Sequence, residues 1–432
     1  MNVVFFLLVL IAFLTAAWRQ FSLPAADITP MDALSRAMID SATGAVELAL
    51  GLVGVMALFL GLMKIAEQGG LLKILARLIR PLMVRLFPDV PADHPAMGAM
   101  ILNMSANMLG LGNAATPFGI KAMQELDRLN PCKGSATDSM VLFLAINTSS
   151  ITLLPTGVIA LRASAGSADP AGILPTTLFA TLCSTLAAIL AVKGYRRFFP
   201  LTREAVARQA ADPDEAGQDN AQPDIALAED EGSGYPTWVS LTALIGFLLL
   251  IPLTVLYGQV VSPWILPGLM LGFLLFGVLR KVPIYESFVE GAKDGFQVAL
   301  KIIPYLVAIL VAVGMFRASG AMEWLVGQIG QLTSLFGLPA EALPMALLRP
   351  LSGSGAYGVM ASIINDPAIG PDSYIGYLVS TLQGSTETTF YVLAVYFGAV
   401  QVRRIRHALA AGLTADIVGV IAAVVAVSFL YG

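Results

Sequence analysis

Residues 107–119 read N-M-L-G-L-G-N-A-A-T-P-F-G. They lie within a largely apolar segment, about 96–126, that a cluster of glycines interrupts. Glycine lets the backbone turn and expose its carbonyls and amides. At membrane depth such a backbone is tolerated only where protein or a polar cavity surrounds it. The segment therefore reads as a broken or re-entrant hairpin rather than a full span, with Asn107, Asn113 and Thr116 as polar groups offered to a ligand. Packing of small residues against a neighbouring helix would account for the same glycines.

A second segment, about 340–365, has the same character and contains R-P-L-S-G-S-G-A-Y-G at 349–358. Gly353, Gly355 and Gly358 formally match G-x-G-x-x-G, but no strand precedes them and the first segment lacks the pattern, so a dinucleotide site does not follow. A flexible hairpin tip, with Ser352 and Ser354 beside free amides, is the better account. Arg349 is costly near lipid and is expected at the interface or in a polar cavity.

The two segments belong to a longer repeat. N-A-A-T-P-F-G (113–119) aligns with S-G-S-G-A-Y-G (352–358), and 38–50 with 288–300. G-L-M-K-I-A (61–66) aligns with G-M-F-R-A-S (314–319), D-S-M-V-L-F-L (138–144) with D-S-Y-I-G-Y-L (372–378), and 180–185 with 411–416. Each match is weak; their common order carries the inference.

Around this repeat the chain is built for lipid. Of its 432 residues 57% are hydrophobic and 12% charged, against about 25% charged in soluble domains, and the mean hydropathy is +0.78. Nine apolar stretches are long enough to cross a bilayer: 2–18, 45–66, 138–162, 172–196, 237–258, 264–280, 298–318, 373–400 and 406–431. The first, Asn2 to Trp18, has no basic n-region and only a weak cleavage site at Ala16-Ala17, so it reads as a retained helix rather than a signal peptide. Segments 36–45, 71–87 and 286–295 read as amphipathic surface helices. Residues 201–235, rich in Asp, Glu, Gly, Pro and Gln, cannot bury a core and read as a solvated linker between a first half, 1–200, and a second half, 236–432. The repeats within those halves run about 38–198 and 288–431.

Charge fixes an expected orientation, because cytoplasmic loops gather Lys and Arg. Segment 71–87 carries Lys73, Arg77, Arg80 and Arg85, whereas its counterpart 320–337 has no basic residue. The loop holding Arg162 corresponds to one holding Arg403, Arg404 and Arg406. One topology satisfies these contrasts: N-terminus inside, nine crossings plus two hairpins, C-terminus outside. The second half is then inverted relative to the first. Inverted repeats with broken helices place a site near the midplane.

Two further polar runs interrupt would-be spans. I-N-T-S-S-I-T-L-L-P (146–155) supplies Asn147, Thr148 and Ser149, and Pro155 removes a backbone donor. Asn147 and Asn103 begin glycosylation sequons, but both lie in membrane segments. Q-G-S-T-E-T-T-F-Y (383–391) supplies Gln383, Ser385, Thr386, Glu387 and Thr388, with Glu387 near the middle of 373–400. An intramembrane carboxylate costs at least about 2.5–3.5 kcal/mol on insertion scales, so Glu387 is expected to act in coupling. A protonated Glu serving as helix-packing glue is the structural alternative. Asp416 in the last helix is a second coupling candidate, and its repeat counterpart is Thr185.

Cys132 and Cys183 are far apart, and His94 and His407 are isolated, so no metal site or cofactor is expected. No G-x-S-x-G, Walker A or H-E-x-x-H motif is present. The expected partners are membrane lipid and an unidentified small-molecule or ion substrate, without nucleic acid; homo-oligomerisation is left open.

The quoted motifs carry a resemblance. The first half, with N-M-L-G-L-G-N-A-A-T-P-F-G-I-K-A-M-Q-E-L and I-N-T-S-S-I-T-L-L-P, resembles spore maturation protein A. The second, with Q-G-S-T-E-T-T-F-Y-V-L-A-V-Y-F-G, resembles spore maturation protein B. Both families carry the nucleoside recognition, or Gate, domain, which also occurs in concentrative nucleoside transporters and in the membrane part of ferrous iron transporter B. The resemblance implies an all-α polytopic protein of the bacterial cytoplasmic membrane with two inverted Gate repeats. It implies a membrane role, and in endospore formers a part in spore core dehydration, without settling the substrate. Together with the broken helices, the leading expectation is a permease for a small polar solute or lipid-linked substrate. The alternative is a non-transporting assembly or regulatory protein of the envelope or of spore maturation.

Overall fold

The computed structural model describes residues 2–22, 28–110, 112–149, 151–200, 235–322, 324, 327–328, 333 and 336–432; side chains at 2–4, 112–114, 237, 244, 247–248, 250–263, 299, 302 and 305 are outside that description. The linker 201–234 also lies outside it. The elements are α-helical, with one isolated bridge pairing Ser135 and Arg404 among the described residues. Four helices are long and apolar enough to cross a membrane, those containing Phe5–Ser22, Pro30–Gln68, Leu174–Tyr195 and Ala408–Tyr431. The protein is a multi-pass membrane protein.

The first half contains α1 (Asn2–Ser22), α2 (Pro30–Gln68) and α3 (Leu71–Leu86), a hairpin of α4 (Pro95–Met108) and α5 (Gly112–Arg128), a broken helix of α6 (Asp138–Thr148) and α7 (Thr156–Ser164), and α8 (Leu174–Tyr195). The second half contains α9 (Thr237–Leu279) and α10 (Ile284–Ala318), a hairpin of α11 (Leu343–Leu348) and α12 (Gly353–Ile364), a broken helix of α13 (Tyr374–Ser385) and α14 (Thr389–Gly398), and α15 (Ala408–Tyr431). From α2 and α10 onward each half follows the same order: long helix, hairpin, broken helix, closing helix.

The breaks have local causes. Gly110, at the first hairpin tip, has φ +74°, a conformation other residues rarely adopt. Ser352 caps α12 by accepting from the Gly355 amide at 3.0 Å. In the first broken helix Pro155 has no N–H to continue the ladder, and the Ser149 hydroxyl donates back to the Ala145 carbonyl at 3.0 Å. In the second, Thr386 and Thr388 are extended, with φ/ψ of −137°/163° and −80°/97°.

The structure corrects three sequence expectations. Segments 36–45 and 286–295 are not separate surface helices; they continue into the spans of α2 and α10. The two helices pack along each other through Ala45, Ser287, Gly291 and Gly295, while Arg36, Asp40, Glu286 and Lys293 stay exposed. Stretches 237–258 and 264–280 fall in one helical element, α9, with no loop between them. A straight helix of 43 residues would extend about 65 Å. Yet the Tyr235 amide donates to the Arg77 carbonyl at 3.2 Å, and Phe276 packs on Gly69. Both ends therefore sit at the α2–α3 corner, so α9 doubles back between the two expected stretches. Third, Glu387 is not within a helix but in the break between α13 and α14.

α2 and α10 run antiparallel. Gly61 faces Phe288, Gly295 faces Ala57 and Gly314 faces Ser41. Gly61 and Gly314 are repeat equivalents, and Ser41 lies one helical turn from Met38, the equivalent of Phe288. The contact is therefore reciprocal to within a turn, as a two-fold relation between inverted halves requires. The cores mix the halves too. Met97, Met140 and Phe143 pack with Tyr396, Phe397 and Ala411, while Leu52, Ile159 and Leu161 pack with Met345, Met360 and Leu378.

Loops sort onto two opposite faces. On one, Arg406 pairs with Asp138 at 2.7 Å and Arg403 donates its amide to Gly134, while Lys64 meets Glu290 at 3.5 Å. On the other, Arg162 pairs with Asp372 at 3.0 Å, Arg317 with Asp366 at 2.7 Å, and Arg19 donates to the Ser319 carbonyl at 2.9 Å. α3 keeps Lys73, Arg77 and Arg85 exposed on the first face and buries Ala76 and Met83.

Candidate functional site

The four backbone interruptions converge. The Leu153 amide, in the first broken helix, donates to Met108 at the first hairpin tip at 2.8 Å. The Phe390 amide, beside the second break, donates to Pro350 at the second tip at 3.1 Å. Each tip is thus stitched to the broken helix of its own half. The breaks also join each other: the Glu387 amide donates to the Thr148 carbonyl at 2.8 Å. Unwound backbone is satisfied by unwound backbone, which is how a non-helical chain survives at membrane depth.

Two polar clusters flank this junction. In the first, Asn107 donates to Asn147 Oδ1 at 2.9 Å, and Tyr396 Oη donates to the same oxygen at 3.4 Å. Asn103 Nδ2 donates to Tyr396 Oη at 3.2 Å and to the Ala115 carbonyl at 2.7 Å. Tyr396 comes from the second half, so the cluster spans both repeats.

In the second cluster the buried Arg349 is central. It donates to the Thr386 carbonyl, donates to Thr388 Oγ1 at 3.3 Å, and lies 3.7 Å from the Glu387 carboxylate. Glu387 itself is 49% exposed, so it is the accessible member of the pair. Asp416 Oδ2 accepts from Thr389 Oγ1 at 2.7 Å, while its Oδ1 has no partner among the described residues. Arg349, Ser385, Thr386 and Asp416 border one small void of about 10 Å³, on the order of a single water.

The other expected residues fall as follows. Thr148 and Ser149 are buried and donate to the Ala145 carbonyl, while the Ser149 carbonyl accepts from Thr181 and Thr185. Ser352 caps α12, and Ser354 is exposed with its hydroxyl 3.5 Å from that of Ser352. Ser385 is buried and donates to Leu382 at 3.3 Å. Gln383 Oε1 is buried without a partner among the described residues. Thr116 is half-buried in α5, and the side chain of Asn113 lies outside the described residues.

Sequence reasoning missed Tyr396 and Thr389 as site members. It also treated Arg162 only as a loop charge, whereas the structure buries it completely. Tyr396 looks like any apolar aromatic within its helix; only the fold brings it to Asn103 and Asn147.

The Gate family, described as nucleoside recognition, matches residues 49–165 and 299–403. The chain belongs to the Gate family. The two matched stretches span the two hairpins and the two broken helices. Spore maturation protein B of Bacillus subtilis is 49% identical over 167 residues, which is 39% of this chain and 93% of that protein. Spore maturation protein A of the same organism is 50% identical over 157 residues, 36% of this chain and 80% of that protein. The resemblance to a fusion of the two is borne out at this level. Inner membrane protein YjiG of Escherichia coli K12 is 33% identical over 88 residues, 20% of this chain and 57% of that protein. Among solved structures, CNTnw in an outward-facing state aligns with TM-score 0.42 and 13% identity, over 98% of this chain and 91% of that one.

Proposed function

We propose that this Gate protein is a permease-like transporter in which a small polar solute passes the junction of the two broken helices. The observation that carries this reading is the hydrogen bond between Glu387 and Thr148, which sets two unwound segments against each other with both hairpin tips beside them. Broken helices paired in this way are the usual surroundings of a midplane transport site. Glu387 and Asp416 are the coupling carboxylates of this reading, with Arg349 between them as an internal counter-charge that a bound cation or proton displaces. The family's description makes nucleosides the first candidates, and lipid-linked sugars and small metabolites the next.

The same reading places the chain in a bacterial inner membrane with residues 201–235 as a cytoplasmic linker. The N-terminus is then inside and the C-terminus outside. Support comes from the basic residues: Arg403, Arg404, Arg406, Lys193, Arg196 and Arg197 belong to loops and helix ends on the face that α3 shares.

The test is uptake by proteoliposomes against a panel of nucleosides, metabolites and lipid-linked sugars. Accumulation of one solute above empty vesicles supports the permease. A second reading, a membrane assembly or regulatory factor, is favoured by the names of the spore maturation relatives and by how fully the Asn103–Asn107–Asn147–Tyr396 cluster satisfies itself. Absence of uptake across the panel, with a stably folded protein, decides for it.

A further inference from the structure

Away from the junction, a cleft of about 510 Å³ opens between the long helices α2 and α10 and the outer ends of α7 and α12. That volume is within the usual range for small-molecule pockets, roughly 300–1,000 Å³. Its polar lining includes Ser41, Glu47, Ser164, Ser362, Asn365 and Arg317.

The cleft exists because two glycines do not pack. Elsewhere along α2 and α10 glycine serves close contact: a Cβ at Gly295 would fall 2.7 Å from Ala57 Cα, and one at Gly61 would fall 2.7 Å from the Phe288 ring. Small residues usually play that part between membrane helices. At Gly44 and Gly51, both on the cleft, an added Cβ meets nothing within 4 Å. Their missing side chains leave space rather than admit a neighbour.

Glu47 lies in this space. It sits near the middle of the 39-residue α2, is exposed to the cleft, and has no ion-pair or hydrogen-bond partner among the described residues. Arg317, the cation on the lining, is already engaged by Asp366 at 2.7 Å. Glu47 lies at the edge of the apolar stretch 45–66, and in a cleft whose lining cation is already engaged its carboxylate is left to a ligand's positive charge. A bare inorganic ion would leave most of the volume and most of the hydroxyl and amide groups unused.

We propose that the cleft binds an organic cation, with its ammonium group on Glu47 and its hydrogen-bonding groups on Ser41, Ser164, Ser362 and Asn365. This goes beyond the transport reading and stands whether or not the protein moves a solute. Amine headgroups of lipids and free amines share this chemistry. The experiment is thermal unfolding of the full chain in nanodiscs of phosphatidylglycerol, which lacks an amine. Choline, ethanolamine, putrescine, sodium chloride, or phosphatidylethanolamine in the bilayer is added in turn. The expected result is a saturable rise in unfolding temperature with at least one free amine or with the aminophospholipid, the arms distinguishing the two sources. Glu47→Gln should weaken that response at least tenfold. Gly51→Leu, whose Cβ enters open space on the cleft, should do the same without lowering the ligand-free unfolding temperature. The proposal is overturned if no amine or aminophospholipid shifts unfolding, if both variants respond like the parent, or if only sodium gives a Glu47-dependent shift.

Discussion

The backbone amide of Glu387 donates to the carbonyl of Thr148 at 2.8 Å, so the unwound centres of the two broken helices are joined to each other. Neither residue could make that bond inside a continuous helix, where both groups are spent on the i→i−4 ladder. The side chain of Glu387 is left to face Arg349 at 3.7 Å, while the amide holds the halves together.

Coupling between Arg349 and Glu387 is the first measurable consequence. Because Glu387 is 49% exposed, the pair is partly screened, and its interaction energy is expected at about 1 kcal/mol rather than the several expected of a fully buried pair. A double-mutant cycle with Arg349→Met and Glu387→Gln, read by thermal unfolding in detergent, measures it. Strict additivity would show that the carboxylate serves solute rather than Arg349. Arg349→Met alone should be the more damaging change, because it also strips donors from the Thr386 carbonyl and Thr388.

Arg162 should behave differently. It is fully buried and donates to the Pro371 carbonyl at 2.6 Å, Ser167 Oγ at 3.1 Å, the Asp169 carbonyl at 3.2 Å and Asp372 at 3.0 Å, with its guanidinium 4.2 Å from the Tyr377 ring centroid. Arg162→Met removes a donor from each of these groups, although Asp372 still accepts from Ser167 and Ala168, and should cost about 1–3 kcal/mol. Arg162→Lys should recover little, since one ammonium cannot reproduce the planar fork. Equal stability of the Lys variant and the parent, by chemical denaturation in micelles, would count against this account of the clasp.

Tyr396→Phe removes the hydroxyl that links Asn103 to Asn147 across the repeats. The expected loss is about 1–2 kcal/mol, the cost of leaving buried amide groups underpaired. Asn107→Ala, which removes only the 2.9 Å bond to Asn147, should cost less. The ranking of the two unfolding temperatures checks the assignment.

The helix pair of α2 and α10 gives a test through glycine. Gly295→Ala puts a methyl 2.7 Å from both Ala57 Cα and the Met56 carbonyl, and overpacking of that kind costs about 1–3 kcal/mol. Gly44→Ala meets nothing within 4 Å and should gain up to about 1 kcal/mol of helix propensity. Opposite signs in the two unfolding shifts are expected.

Much of this architecture was legible in the chain. The glycine clusters at 107–119 and 349–358 and the polar run ending at Pro155 announced three of the interruptions, because backbone that leaves a helix in lipid needs polar or glycine-rich sequence. The run at 383–391 was read as polar groups within a span, and its break was not foreseen. Reciprocal contacts such as Gly61 with Phe288 and Gly314 with Ser41 agree with the repeat alignment. What stayed hidden depends on partners distant in sequence. Tyr396 meets Asn103, and Arg162 meets Asp372, across more than two hundred residues. Glu47 was not singled out in the sequence, and only the neighbouring helices show it facing open space. The continuity of α2 through 36–45 was missed because Arg36, Asp40 and Thr43 stay exposed, as they would on a surface helix, while the helix itself runs on into the span.

Opposed insertion of the two halves is the central claim, and the side reached by each end of the second half tests it most directly. In a background with Cys132 and Cys183 replaced by alanine, single cysteines are placed at positions 230 and 432 and intact cells are treated with a membrane-impermeant maleimide. The cysteine at 432 should be labelled and that at 230 protected until the membrane is permeabilised. Equal labelling or equal protection of the two sites in intact cells would contradict the inverted arrangement, and with it the transport site at the Thr148–Glu387 junction.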